Sequence, residues 1–448
     1  MRSRAFHSVD TGPTLTGWGR LPAPGREVRG EDLLALAEGA ALSRGLGRSY
    51  GDASLPPSDR PVALNTTLAD RILSFDEGTG LLRAEAGLSL LEMNRLFIPR
   101  GWFTPVTPGT QFVTLGGMVA ADVHGKGQHV QGDFGDHVTR LRMRVADGRA
   151  LWCSRDEHAD LFRATIGGMG LTGHVLEVEV RMRRIPSPWI VQESRRIDDV
   201  DAFQDALEEA ATRWPYTVGW IDCASRGARM GRGILMCGRW AEPGEAPARP
   251  PRRLPAPRVP FDFPSWALNR WTIRAFNEAY YWKHLPRERT GIVDWRTFFY
   301  PLDSVREWNR IYGKRGFTQY QCVLPREAGR GSARRVLEEL TQRGGGSFLS
   351  VIKDFGREGP GVLSFPRPGI TLNLDLPVRD DTQALTDALN ERVLADGGRI
   401  YLAKDAFTRP EHFRAMEGAR LDELARIRDR WDPQRRFRSA LSVRLLGD

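Results

Sequence analysis

The sequence predicts an α+β protein of two domains. Three observations predict it. Glycine is concentrated in two separated stretches of the first third, residues 44–52 and 107–138. Strand and helix periodicities are interleaved through about the first 190 residues. A later set of strands, after residue 316, places amides and a lysine on one face and leucines on the other. At 448 residues the chain also exceeds what one ordinary core organises.

Composition narrows the class. Hydrophobic residues make up 41% of the chain, enough for a sizeable core. No apolar run approaches the roughly 20 residues that span a bilayer. Residues 1–30 lack the apolar segment of a secretory signal, which predicts a cytoplasmic setting with a peripheral membrane location open. The net charge of +9 is spread among 56 acidic residues and accompanies no nucleic-acid module, so nucleic acid is not expected as a partner. A phosphate-bearing or membrane-surface substrate is the better use of that charge. Cys153, Cys223, Cys237 and Cys322 have no metal spacing and read as free thiols; no metal site is expected.

The elements follow in order. Residues 1–30 read as a polar arm, and Glu31–Ala41 as a short helix. Arg71–Phe75 and Leu81–Ala86 read as strands joined by a turn at Asp76–Gly80. Ser89–Arg100 is a helix with Leu90, Met93, Leu96 and Phe97 on one side and Ser89 as its N-cap. Alternation predicts strands at 141–145 and 178–182, with a helix over Asp156–Ile166 between them. Asp198–Arg213 is an amphipathic helix, followed by strands at Val218–Asp222 and Ile234–Trp240. The proline-rich stretch 241–264 predicts extended chain. The aromatic and basic residues of 266–283 suit either a membrane interface or a core under a lid. Strands are expected at Phe317–Leu324, Ser347–Lys353, Ile370–Pro377 and Ile400–Asp405, and helices at Ser332–Arg343, Thr382–Ala395 and Pro410–Arg430, before a stop at Trp431–Phe437.

Two features carry chemistry. In Arg44–Asp52 the glycines at 45, 47 and 51 permit a backbone that approaches a ligand closely. Its N–H groups, with Arg48 and Ser49, suit a pyrophosphate, and a plain turn is the other reading. The stretch 107–138 has glycine at 109, 116, 117, 125, 127, 132 and 135, but matches neither a P-loop nor a Rossmann fingerprint. Two such loops point to a large, extended ligand between them. In the later strands Gln319 and Gln321 share one face, as do Thr371, Asn373 and Asp375, while Lys353 lies with Leu349 and Val351. This is either a solvated sheet or the floor of a polar pocket suited to sugar hydroxyls and a phosphate.

These residues carry a resemblance. Gly-Leu-Gly-Arg-Ser-Tyr-Gly-Asp at 45–52, Pro-Gly-Thr at 108–110, Asp-Val-His-Gly-Lys at 122–126, Phe-Gly-Asp-His-Val at 134–138 and Gly-Leu-Thr-Gly at 170–173 resemble the FAD-linked oxidases with a vanillyl-alcohol-oxidase-type (PCMH-type) FAD domain. Tyr-Pro-Leu-Asp at 300–303, Glu-Trp-Asn-Arg at 307–310, Gln-Tyr-Gln at 319–321, Ser-Phe-Leu at 347–349 and Ala-Lys-Asp at 403–405 extend the likeness over nearly the whole chain. It implies a two-subdomain FAD-binding domain at 1–190, a substrate domain at 191–398 built on an antiparallel sheet with flanking helices, and a return to the FAD domain at 399–448. It implies FAD held by Gly45, Leu46, Gly47, Arg48, Ser49 and Tyr50 and by Gly109, Thr114, Gly116 and Gly117, with Ala121, Asp122, His124, Val175 and Tyr401 also at the cofactor.

The resemblance further implies oxidation of a secondary alcohol, the 2′-hydroxyl of a polyprenylphosphoryl ribose, as the first half of an epimerisation completed by a short-chain reductase. Lys404 is the residue expected to orient or deprotonate the hydroxyl, with Tyr50 and His124 in the proton relay. Lys126, Gln319, Gln321, Lys353, Thr371 and Asn373 are expected at the substrate. Many relatives bind flavin through a histidine where this chain has Arg48, so FAD is expected to be non-covalent. The family's active-site cysteine aligns with Asn373, and a tyrosine with Phe299, which opens a second reading: an oxidase of a soluble alditol or sugar-1,4-lactone. A non-catalytic FAD-binding protein is the reading of another class.

Overall fold

The computed structural model describes residues 14–252 and 255–448. It is α+β, with one large core running through two main sheets. The first is antiparallel and five-stranded, in the order Ala150–Ser154, Val138–Arg144, His174–Arg181, Leu81–Glu85, Ile72–Asp76. The helix Leu90–Phe97 begins where Ser89 accepts from Glu92 N at 3.2 Å, a cap worth about 1 kcal/mol. Beside this sheet lies a parallel three-stranded one, Arg26–Arg29, Val62–Asn65, Leu42–Arg44, which delivers the chain into the first glycine stretch.

The second main sheet is antiparallel and eight-stranded. Its order is Glu288–Asp294, Trp189–Ile197, Gly233–Trp240, Tyr216–Ile221, Ser350–Phe355, Gly369–Pro377, Phe317–Pro325, Arg399–Ile400. The helices Val200–Arg213 and Thr382–Ala395 pack on it, and Ser332–Gln342 packs between those two. In register, Gln319 lies opposite Asp375, Gln321 opposite Asn373 and Lys353 opposite Thr371. Directly opposed residues share a face, so the polar residues of three strands form one floor.

Four expectations are corrected. Residues 14–30 are not an arm: Trp18 N and Gly19 N donate to the carbonyls of Ser49 and Tyr50 at 2.7 and 3.0 Å, lining the first glycine stretch. After Ile400 the strand ends, because Lys404 N and Asp405 N turn back to the carbonyls of Tyr401 and Leu402. The helix predicted from Pro410 divides at Gly418 (φ +45°) into Pro410–Glu417 and Ala419–Trp431, and the chain continues past the expected stop into Ala440–Leu446. Around 266–283, Ile273, Asn277 and Tyr281 pack inward, but Trp266, Trp271 and Trp282 are exposed, so these tryptophans form no core under a lid.

Candidate active site

The two glycine stretches meet. A methyl group at Gly45 would collide with Thr114 Oγ1, and one at Gly51 with the carbonyl of Asp405, so both positions require bare backbone. Gly47 has φ +62°, in the left-handed region. Thr114 caps the short helix Leu115–Ala120, accepting from Gly117 N at 3.3 Å, and thereby places Gly116 and Gly117 beside Gly45. Leu46 and Gly117 are exposed at this junction. Arg48 lies 4.0 Å above Trp18 and 5.0 Å from the Phe112 ring, and burial pushes its pKa down against the pull of Asp303. Gly109 faces open space. Its turn is clamped from far along the chain: Asp303 accepts from Thr110 Oγ1 at 2.7 Å and from Gln111 N at 2.8 Å.

A second cluster lies deeper, where the loop after Ala120 meets the polar floor. Tyr401 donates its hydroxyl to Ala121 O at 2.8 Å. The His124 ring lies 4.9 Å from Tyr401 and 5.0 Å from Phe355, and its Nε2 is 2.9 Å from Gln321 Nε2. With the amide donating, the ring proton sits on Nδ1, which is buried and has no protein partner. Burial, then Lys353 and Lys404, hold His124 well below the usual imidazole range, so it is neutral. Gln321 also reaches Thr371 Oγ1 at 3.4 Å, and Thr371 reaches Asn373 at 3.5 Å.

Lys404 sits 3.7 Å over the ring of Tyr50, whose backbone N donates to Ala403 O at 2.9 Å. Asp375, absent from the residues expected from the resemblance, completes this cluster. Its carboxylate accepts from Gln319 Nε2 and, at 3.1 Å, from Tyr312 Oη. Burial pushes the lysine down and the carboxyl up, and each opposes the other's shift. Burial also lowers Lys126 to about 7 and Lys353 to about 8. Tyr50 is buried and raised, so it stays protonated.

Other expected residues stand apart from open space. Lys126 gives its ammonium to the carbonyls of Phe298 and Phe299. Asp122 commits its carboxylate to Ser364 Oγ and to Gly135 N at 2.8 Å. Val175 is buried in the five-stranded sheet opposite Met143. Sequence reasoning put Asp375 on the polar face but missed its role; the signal was an acid in an otherwise neutral row. Among the described residues no group of three or more His, Cys, Asp or Glu side chains gathers to hold a metal ion.

This geometry fits FAD. Bare backbone at the junction of the glycine stretches suits the pyrophosphate, and the unpartnered His124 Nδ1, Gln321 Oε1 and Gln111 Oε1 are buried polar atoms awaiting a ligand. A family profile describing an FAD binding domain matches residues 33–154. The protein is thus an FAD-dependent oxidoreductase. The chain is 34% identical to decaprenylphosphoryl-β-D-ribose oxidase of Mycolicibacterium smegmatis, over 96% of this chain and 97% of that protein. It belongs to the FAD-linked oxidase family of that enzyme. It is also 34% identical to an uncharacterized protein encoded 5′ of mprA in Streptomyces coelicolor, over 80% of this chain and all of that one. D-arabinono-1,4-lactone oxidase of Yarrowia lipolytica is 26% identical over 62% of this chain and 50% of its own length.

Proposed function

We propose that the protein oxidises the 2′-hydroxyl of a polyprenylphosphoryl ribose to a ketone, and that a short-chain reductase completes the epimerisation. The observation that carries this is the polar floor of Asp375, Gln319, Gln321 and Lys353, all buried, with Asn373 and Lys404 half-buried and His124 joined to it through Gln321. Neutral amides suit sugar hydroxyls, and Lys353 suits a phosphate. FAD, when bound, supplies the acceptor for the hydride leaving the carbinol carbon. Lys404 takes the hydroxyl proton, and its lowered pKa suits a base near neutral pH. Tyr50, stacked under the ammonium, fixes where that amine points. His124 donates from Nδ1 toward the cofactor side. Residues 1–190 and 399–448 hold FAD and 191–398 the substrate in this reading, with Thr371 completing the substrate wall and Lys126 held at the carbonyls of Phe298 and Phe299.

Asn373, in place of the family's cysteine, favours a second reading, an oxidase of a soluble alditol or sugar-1,4-lactone. One experiment separates the two. Acid precipitation of the purified protein is expected to release FAD, because Arg48 cannot form the covalent flavin link. Anaerobic addition of a polyprenylphosphoryl ribose analogue is expected to bleach the bound flavin. Bleaching by alditols or lactones alone would establish the second reading. Flavin retained in the pellet would overturn non-covalent binding.

A further inference from the structure

The helix Arg270–Lys283 has two faces of unusual contrast. Its inner face is Ile273, Asn277 and Tyr281, spaced by four, and Asn277 donates to Asp222 at 2.7 Å. The opposite face presents Trp271 and Trp282. Eleven residues separate them, so they lie nearly in line, about 16 Å apart along the axis. Trp271 is 65% and Trp282 48% exposed, and Trp266 and Leu285, just beyond either end of the helix, are 74% and 66% exposed. A row of this kind facing water is costly unless something covers it.

The charges beside the row identify what covers it. Arg270, Arg274 and Lys283 are exposed, and among the described residues no carboxylate pairs with them. The helix's only acid, Glu278, is held by Arg232. The surface is therefore cationic, with Trp282 giving its ring N–H to Glu278 at 2.7 Å. We propose that this face docks the protein on an anionic membrane surface, tryptophans in the interfacial region and Arg270, Arg274 and Lys283 among the lipid phosphates.

Another side of the same helix reaches the candidate active site. Phe276 lies 5.5 Å from Phe348, Phe348 lies 5.5 Å from Tyr312, and Tyr312 donates to Asp375. Two rings thus connect the docking helix to the buried carboxylate. A lipid-linked sugar whose tail stays in the bilayer meets the site at this edge; that purpose rests on the proposed function, whereas the docking itself does not.

The test uses the full-length, FAD-loaded protein and sedimentation with vesicles of phosphatidylcholine alone or mixed with phosphatidylglycerol. The protein is expected to sediment with the mixed vesicles and to be released by salt. Arg270→Glu/Arg274→Glu is expected to lose affinity by about fivefold or more for each position changed. Trp266→Ser/Trp271→Ser is expected to abolish sedimentation while leaving the flavin spectrum unchanged. Sedimentation of either variant equal to that of the unaltered protein would overturn the proposal, as would failure to bind the mixed vesicles. Self-association that the tryptophan changes abolish, without lipid binding, would assign the face to a second copy instead. Flavin bleaching by a short-chain, water-soluble phosphoryl ribose is read separately. Its failure in the unaltered protein would sink the substrate assignment and leave the docking result standing.

Discussion

At the residue scale the proposed reaction turns on one amine. Lys404 is placed by a backbone turn and by the ring of Tyr50, and it shares its burial with Asp375. Lys404→Met keeps much of the side chain's volume and removes the amine. Substrate-driven flavin reduction, followed anaerobically by stopped flow, is expected to slow by about 10²–10⁴-fold while the oxidised flavin spectrum persists. In the proposed reaction Asp375 acts on the amine rather than on substrate. Its negative charge favours the protonated lysine, so Asp375→Asn releases the neutral amine at lower pH. The rising limb of the reduction rate against pH is expected to shift downward. A limb that stays in place would show that Asp375 only fills space.

At the element scale, the C-terminal helix Ala440–Leu446 ties the first glycine stretch to the segment carrying Lys404. Arg444 binds both oxygens of Asp52 at 2.8 Å and Asp405 at 2.9 Å. Arg444→Met leaves two largely buried carboxylates without their cation. Urea unfolding is expected to show a loss of about 3–5 kcal/mol, the cost of breaking a buried pair from one side. That tie was invisible in the sequence, where Trp431–Phe437 read as a stop. Local signals were legible: Ser89 as a cap, the turn between Ile72–Asp76 and Leu81–Glu85, and the period-two faces of 317–325 and 369–377. Each depends on neighbours a few residues apart. What the sequence could not show was pairing between distant stretches. Whether the face of Gln319 and Gln321 met water or a pocket depended on which strands lay beside it and what lay above. The clamp of Asp303 on residues 110–111 joins two quoted motifs 192 residues apart, and no periodicity connects them. Residues 14–30 read as an arm because what ties them down lies far along the chain: Trp18 N and Gly19 N donate to the carbonyls of residues 49 and 50, and Arg26–Arg29 pairs with Val62–Asn65.

At the scale of the whole molecule, burying several ionisable groups where the two main sheets meet has a consequence for stability. Burial raises Asp122 above the usual carboxylate range, although Ser364 and Gly135 favour its ionised form. From about pH 4 upward the unfolded chain releases that proton while the native state keeps it. Stability from this group therefore falls as pH rises toward the native pKa, with a slope of at most about 1.4 kcal/mol per pH unit. Lys126 works the other way. Burial lowers it to about 7, so between about pH 7 and 10 the unfolded chain holds a proton that the native state has lost, and stability rises with pH. The two opposed slopes make neutral pH the region where both penalties are present. Thermal unfolding between about pH 5 and 9 is expected to show it. The melting temperature of Asp122→Asn, relative to the unaltered protein, is expected to climb as pH rises through the acid limb and then level off. That of Lys126→Met is expected to be relatively highest at and below neutral pH and to decline above it. The slopes, not the offsets, carry the test, because each substitution also removes hydrogen bonds whose cost is independent of pH. Parallel curves for all three proteins would show that these groups titrate alike in the folded and unfolded chains.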